Sequence, residues 1–114
     1  MRTEKPWGEE NLLHAGYGYA VKLISLKAGK RTSLHYHNVK HEFIYVQSGS
    51  LQIDLGSDQH SMVKHVLSPG EFLAIEPLQL HRMTSGEEGA LYLESQTDHL
   101  DDVVRIQDDY ERRS

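Results

Sequence analysis

The sequence predicts an all-β protein, either an antiparallel sandwich or a small barrel, and two observations support this. Turn-forming residues recur at short intervals, for example at Gly29, Gly49 and Gly70. Between them lie short runs rich in Val, Ile, Leu, Tyr and Phe, which are residues that strands favour. These runs lack a convincing helical period, so the pattern favours strands over helices.

Five runs are the clearest strand candidates: YAVKLISL (19–26), EFIYVQ (42–47), SLQIDL (50–55), EFLAIE (71–76) and ALYLES (90–95). Ser48 and Gly49 separate the second and third runs so closely that they predict a tight hairpin. The longest polar insertion, GSDQHSMVKH (56–65), predicts a hairpin or loop with His60 and His65 in solvent.

The length of 114 residues predicts one domain over residues 1–114, with a core over about residues 19–95. Residues 96–114 are acidic and then basic, with a few apolar side chains that can pack. They predict a short tail laid over the barrel, with one helical turn.

Composition excludes several classes of function. The net charge is −5 and the twelve Lys and Arg residues are scattered, which argues against a nucleic-acid or anionic-membrane surface. No apolar run approaches the roughly 18 residues that a membrane span needs, and the N-terminus has no apolar signal segment, so we expect a cytoplasmic protein. The absence of cysteine excludes disulfides and thiolate ligands. Any bound metal must therefore take nitrogen and oxygen ligands.

The stretch from Gly29 to Gly49 crowds histidines beside a glutamate. His35 and His37 are two residues apart, so in a strand their side chains point to the same face. A bend over residues 38–41 can then bring Glu42, at the start of the next strand, to the same point. If Glu42 faces inward, Phe43 and Tyr45 face outward, and two large aromatic residues on an outer face predict contact with another sheet or another subunit. Together with the habit of the family resembled below, this predicts a homodimer.

The bracketed spacing G-x5-H-x-H-x4-E-x6-G resembles the first motif of the cupins, a family of small jelly-roll β-barrels. The second cupin motif supplies a histidine eleven residues after a glycine, and Gly70 and His81 stand that far apart. The resemblance implies one divalent transition metal ion held by His35, His37, Glu42 and His81. Three imidazoles and a carboxylate suit Mn, Fe, Co, Ni or Zn. In the turn before His81, Leu78 takes a position that the family usually gives to glycine.

A narrower resemblance covers most of the chain. Lys5-Pro6-Trp7-Gly8, the His81-Arg82 pair and the tail LDDVVRIQDDYER (100–112) are similar to the C-terminal cupin domain of type II phosphomannose isomerases. That family is often fused to a mannose-1-phosphate guanylyltransferase and usually carries glutamine at the position of His35. The resemblance implies aldose–ketose isomerisation of a sugar phosphate such as mannose 6-phosphate.

A sugar phosphate needs cations and a group that moves a proton. Lys22, Arg31 and Arg82 are the first candidates for phosphate binding, with Lys40 and Arg105 behind them. The candidates for the base are Glu94, His41 and Tyr36, and the sequence does not choose among them.

Two other functions stay open. A metal with four protein ligands can leave two adjacent positions for a substrate and dioxygen, so a dioxygenase is one alternative. A non-catalytic barrel that binds a sugar or another effector is the second.

Overall fold

The computed structural model describes residues 1–110, and in this part of the chain every regular element is a β-strand. The strands are β1 (Arg2–Lys5), β2 (Gly8–Gly16), β3 (Tyr19–Leu26), β4 (Leu34–Tyr36), β5 (Glu42–Gly56), β6 (Met62–Leu67), β7 (Phe72–Ile75), β8 (Leu80–Thr97) and β9 (Val104–Gln107). All paired strands are antiparallel. The predicted all-β class is therefore confirmed. Residues 1–110 contain no helix that could span a membrane.

Two long strands, β5 and β8, connect the two sides of the curled sheet. The first half of β5 pairs with β7 and with the second half of β8, whereas the second half of β5 pairs with β6 and the first half of β8. β8 also pairs with β3, which is followed in the sheet by β2 and β1, and with β4, which is followed by β9. A single sheet thus wraps around one interior.

The interior is filled by inward-facing apolar side chains from both sides of the sheet. Alternation along β5 places Glu42, Ile44 and Val46 inside, while Phe43 and Tyr45 lie on the outer face, as the sequence predicts. The buried cluster consists of Trp7, Ile24, Leu26, Ile44, Val46, Leu51, Ile53, Leu67, Ile75, Met83, Ala90 and Tyr92. Trp7 precedes the core that the sequence predicts over residues 19–95. The assignment of residues 1–114 to one domain stays a prediction.

The predicted hairpin at Ser48-Gly49 is wrong, because β5 continues through these residues as one bent strand. Its register with β8 shifts between Val46 and Ser48 and again between Gly49 and Leu51. Gly49 has a φ of 77°. A glycine between two strand-like runs therefore marks a bulge here, which redirects a strand without reversing it. In the insertion, β6 pairs with the second half of β5 and gives the hairpin that the sequence allows.

Residues 96–110 of the tail do not contain the predicted helical turn. A bend and a turn lie between residues 98 and 101, and β9 then pairs with β4. The tail does lie over the barrel, as predicted, but strand pairing holds it there and satisfies its backbone groups. The last residues of the predicted tail, 111–114, lie outside the described residues.

Candidate metal centre

Three histidines meet at the inner surface of the barrel. His35 on β4 pairs directly with His81 on β8, and His37 follows at the end of β4. One ring nitrogen from each residue lies within 4.8 Å of the other two. His37 and His81 are buried, and His35 is partly buried. Loss of solvent, together with the neighbouring His81 and His37, holds the pKa of His35 well below its usual value. His35 is therefore neutral at physiological pH, which is the form that binds a metal.

Each imidazole is oriented by a backbone carbonyl. The Nδ1 atom of His35 lies 2.8 Å from the carbonyl oxygen of Ser33, and that of His81 lies 2.9 Å from the carbonyl oxygen of Gln79. His37 makes the corresponding short contact from Nδ1 to the carbonyl oxygen of Asp102. Because a carbonyl only accepts, each Nδ1 carries a proton, which leaves each Nε2 as the ring nitrogen available to a metal. This is the outer hydrogen-bonding pattern of metal-binding histidines.

Glu42 brings a carboxylate to the same point. Its Oε1 atom lies 2.5 Å from Nε2 of His37 and 3.3 Å from Nε2 of His81. Burial alone would raise the pKa of Glu42, but its close contacts with Glu94, His37 and His81 lower it well below its usual value. The carboxylate is therefore ionised and faces Nε2 of both histidines.

The arrangement fits a divalent transition metal. Glu42 Oε1 and the Nε2 atoms of His37 and His81 are buried without a hydrogen-bond partner. A cation bound between these three buried atoms would satisfy all of them. His35, His37, His81 and Glu42 together offer the N3O set that the resemblance implies. Which metal binds, and in what number, stays a prediction.

A polar cavity of about 310 Å³ opens above these ligands. Trp7 and Tyr92 supply aromatic surface, and Lys22, Lys40 and Arg105 supply positive charge, to a wall that also contains acidic side chains. Lys40 is buried, and Nζ of Lys22 donates a hydrogen bond of 3.0 Å to Oε1 of Glu10. The cavity is large enough for a small polar molecule and carries both signs of charge.

Glu94 is the other titratable acid beside Glu42. Burial raises its pKa well above the usual value, and the nearby charge of Glu42 adds to the rise, while Lys40 and Lys22 oppose it. Gln96 donates a hydrogen bond to Glu94 over 3.3 Å. Its surroundings therefore favour the protonated form of Glu94, whereas those of Glu42 favour the ionised form.

The predicted phosphate-binding cations separate into two groups. Lys22, Lys40 and Arg105 lie in the cavity wall, but Arg31 and Arg82 do not. Arg31 pairs with Asp109 through two bonds of 2.7 and 2.8 Å, and Arg82 donates to the carbonyl oxygens of Thr32 and Gln107. Their predicted role in substrate binding stays a prediction.

Of the three candidate bases, only Glu94 lines the cavity. His41 points away from it, and its Nε2 atom lies 3.4 Å from Glu76. Tyr36 lines a separate surface cavity, on the other side of β4. The remaining histidines with no predicted role, including His60 and His65, lie outside the cluster.

The sequence gives no sign of the part that Asp102 plays at this site. Its carboxylate accepts hydrogen bonds from the backbone N–H groups of Asn38, Val39 and Lys40, at 3.0, 2.8 and 2.9 Å. The tail also lines the cavity through Leu100, Asp101, Val103 and Arg105. A run of acidic residues in a polar tail is normally solvated, so only the structure could reveal this contact.

Comparison with known proteins agrees with the resemblance. The family model described as "Cupin domain" matches residues 22–95. Mannose-1-phosphate guanylyltransferase of Escherichia coli is 32% identical over an alignment of 120 positions, gaps included, that covers 95% of this chain and 22% of that protein. Xanthan biosynthesis protein XanB of Xanthomonas campestris is 30% identical over an alignment of 123 positions, gaps included, that covers 97% of this chain and 24% of that protein. The chain thus spans less than a quarter of the length of these relatives.

Solved structures show the same fold at low sequence identity. The capsular polysaccharide assembling protein CapF of Staphylococcus aureus has a TM-score of 0.82 and 16% identity, covering 94% of this chain and 32% of CapF. KdgF of Halomonas has a TM-score of 0.76 and 17% identity, covering 89% of this chain and 88% of KdgF. An oxalate decarboxylase of Bacillus subtilis has a TM-score of 0.81 and 18% identity, covering 93% of this chain and 30% of that enzyme. The jelly-roll barrel that the sequence predicts is therefore confirmed.

Proposed function

The chain belongs to the cupin family, and from this premise we propose that it is a metal-dependent enzyme that interconverts an aldose phosphate and a ketose phosphate. The relatives with 30–32% identity include proteins named for mannose 1-phosphate, which supports a sugar phosphate as the substrate class. The metal would be held by His35, His37, Glu42 and His81. The whole-chain activity of those relatives involves a much longer protein, so the comparison supports the substrate class and not the reaction.

One observation carries the proposal. Three imidazoles are fixed with Nε2 facing an ionised, buried carboxylate, and this cluster lies at the floor of a cavity of about 310 Å³. A divalent ion bound there would polarise a sugar carbonyl and stabilise negative charge that develops on its oxygen. A buried surface that served only for stability would gain more from apolar side chains than from these unpaired polar atoms.

The side chains of the cavity can perform the other parts of the reaction. Isomerisation moves a proton between two adjacent carbons, so it needs a group that holds and releases a proton beside the substrate. Glu94 lines the cavity beside Glu42, and burial raises its pKa, so it is the side chain that we expect to hold the proton near the substrate. Lys40 and Lys22 add positive charge beside Glu94 and suit a phosphate group.

The test is metal analysis of the purified protein, followed by an isomerase assay with its native ion on mannose 6-phosphate and other aldose phosphates. We expect close to one equivalent of a divalent transition metal and formation of the ketose phosphate. Glu42→Gln removes the anionic ligand, so we expect it to lower metal affinity and turnover by about 100-fold or more. Glu88→Gln is the matched control, because Glu88 is exposed and lies outside the cavity.

The same assay distinguishes the two alternatives. Oxygen uptake coupled to loss of substrate, in iron-loaded protein and in air only, would replace the isomerase with a dioxygenase. Saturable sugar binding without turnover would instead show a non-catalytic binding protein. In that case Glu42→Gln would not change the turnover.

The proposal includes a homodimer that forms through the outer face of the sheet. Phe43 and Tyr45 are each 39% exposed and Phe72 is 61% exposed, and the rings of Phe43 and Phe72 stack with centroids 5.5 Å apart. Adjacent exposed aromatic side chains are typical of a protein interface. A cytoplasmic location stays a prediction.

A further inference from the structure

The tail contacts the candidate metal centre through one residue, Asp102. Its backbone carbonyl accepts the Nδ1 proton of His37, which fixes the orientation of that ring. Its side-chain carboxylate binds the segment that connects His37 to Glu42. One residue thus touches both a metal ligand and the connection to the next ligand.

The carboxylate of Asp102 accepts hydrogen bonds from three consecutive backbone N–H groups in the segment between His37 and Glu42. Oδ2 accepts from the N–H groups of Val39 and Lys40, at 2.8 and 2.9 Å, and Oδ1 accepts from the N–H group of Asn38 at 3.0 Å. These donations, led by that of Val39, hold the pKa of the Asp102 carboxyl well below its usual range. A short loop whose N–H groups converge on one anion is held in one conformation.

Other parts of the tail hold Asp102 in place independently of His37. β9 pairs with β4, so Tyr36 lies opposite Val104 and His35 lies opposite Arg105. Further along, Asp109 makes two hydrogen bonds to Arg31, at 2.7 and 2.8 Å. The tail is therefore anchored to the barrel at several points, and Asp102 can impose its position on the loop.

We propose that Asp102 is a positioning residue of the metal centre, which holds His37 and the 38–40 loop in the metal-binding arrangement before the ion arrives. This inference rests on the proposed function, because it assumes that the histidine cluster binds a metal. It adds that the site depends on a residue far from both sequence motifs. Preorganised ligands bind more tightly because they lose less freedom on binding.

Asp102→Asn is the substitution that tests this inference. An amide has one acceptor oxygen, so it cannot accept from all three N–H groups, and its NH2 group then faces a backbone donor. Asp98→Asn is the matched control, because Asp98 is an exposed acid in the same tail and does not line the cavity. Two measurements are made on the full chain: hydrogen exchange of backbone amides in metal-free protein, and Zn²⁺ affinity by competition with a chromophoric chelator.

In Asp102→Asn we expect the amides of Val39 and Lys40 to exchange about 10-fold faster or more, and Zn²⁺ affinity to fall about 10- to 100-fold, as for other outer partners of metal ligands. Core amides such as those of Ile44 and Ile53 should exchange at the wild-type rate. The ¹⁵N spectrum of metal-free protein should show less of the Nδ1-protonated form of His37 than in the wild type. Asp98→Asn should behave as wild type in all of these measurements.

Wild-type loop exchange and wild-type Zn²⁺ affinity in Asp102→Asn would overturn the inference and leave the proposed function standing. Equal acceleration of loop and core amides would also overturn it, because it would show general destabilisation. If the wild type itself binds no Zn²⁺ or other transition metal, the proposed function fails, and exchange and the His37 spectrum alone decide whether Asp102 positions His37. Should Asp102→Asn fail to fold, Asp102→Glu keeps the charge, misplaces both oxygens and is judged by the same measurements.

Discussion

Leu78 has a left-handed backbone conformation in the turn before His81, with a φ of 71°. Its N–H group donates to the carbonyl oxygen of His37 over 2.7 Å, so the turn is bonded to the ligand loop. A branched side chain is unfavourable at this φ, whereas glycine adopts it freely. The cupin resemblance predicts a glycine at this position, and the structure shows the conformation that such a glycine would take.

Replacing Leu78 with glycine should therefore stabilise the protein. The Leu78 side chain is 61% exposed, so its removal costs little packing. We expect Leu78→Gly to raise the free energy of unfolding by about 1 kcal/mol, from relief of strain less the greater chain entropy of glycine. Urea unfolding measures the change. Gln79→Gly, at the neighbouring residue, should lower the same free energy, and a lower stability in Leu78→Gly would contradict the expected strain.

The candidate metal ligands differ in how far the sequence could predict them. His35, His37 and Glu42 follow from strand alternation and spacing, because they are close in the chain. His81 comes only from the family resemblance, since nothing in local sequence indicates that β4 and β8 lie side by side. Asp102 could not be predicted, because its role depends on where the tail crosses the barrel.

Bends at glycine residues allow β5 and β8 to pair with strands on both sides of the curled sheet. A Cβ atom added to Gly49 would lie 2.1 Å from the carbonyl oxygen of Gly89, which is the corresponding bend in β8. Gly89 also has a positive φ, of 76°. The backbones of the two strands are therefore in close contact at their bends, and only glycine fits there.

Gly49→Ala should be strongly destabilising, because the new methyl group meets backbone that cannot move aside and alanine is strained at a φ of 77°. We expect the free energy of unfolding to fall by about 3 kcal/mol or more. Gly70→Ala is the control. Its φ is 89°, but an added Cβ meets nothing within 4 Å, so only the backbone strain of about 1–2 kcal/mol should remain. Equal losses in the two variants, measured by chemical denaturation, would show that the contact with Gly89 is unimportant.

Sequence patterns predict the strands that form apolar runs and do not predict the more polar ones. β3 has the bounds that its sequence predicts, and β7 lies within its predicted run, because their apolar residues are bounded by turns. β1 and β2 carry mostly polar or half-exposed side chains and give no such signal. The bulge at Gly49 was mistaken for a hairpin because both features place a glycine with positive φ between two apolar runs.

The outer aromatic surface formed by Phe43, Tyr45 and Phe72 is the feature that bears on assembly of the whole molecule. These residues face away from the metal ligands, since Phe43 and Glu42 alternate along β5. A second copy that covers this surface would leave the cavity unchanged. Assembly and metal binding should therefore be separable by substitution.

Phe72→Asp places a charge in this surface and should convert a wild-type dimer to a monomer, because burying an unpaired carboxylate is costly. Sedimentation velocity over a range of protein concentrations measures the change, and Zn²⁺ affinity should stay at the wild-type value. Val66→Asp is the control, because Val66 is 58% exposed but lies on β6. A wild-type protein that sediments as a monomer at all concentrations would refute the dimer.

The pairing of β3 with β8 also governs how the chain reaches its native state. Tyr19 lies opposite Thr97 and Leu26 lies opposite Ala90, so the central ladder joins residues from opposite ends of the described chain. Such pairing closes a long loop before it gains any contact, and proteins of this kind fold in about milliseconds to seconds. His35, His37 and Glu42 are near neighbours in the chain, but His81 and Asp102 join them only after β8 and the tail have docked. The complete candidate site should therefore form only in the last stage of refolding.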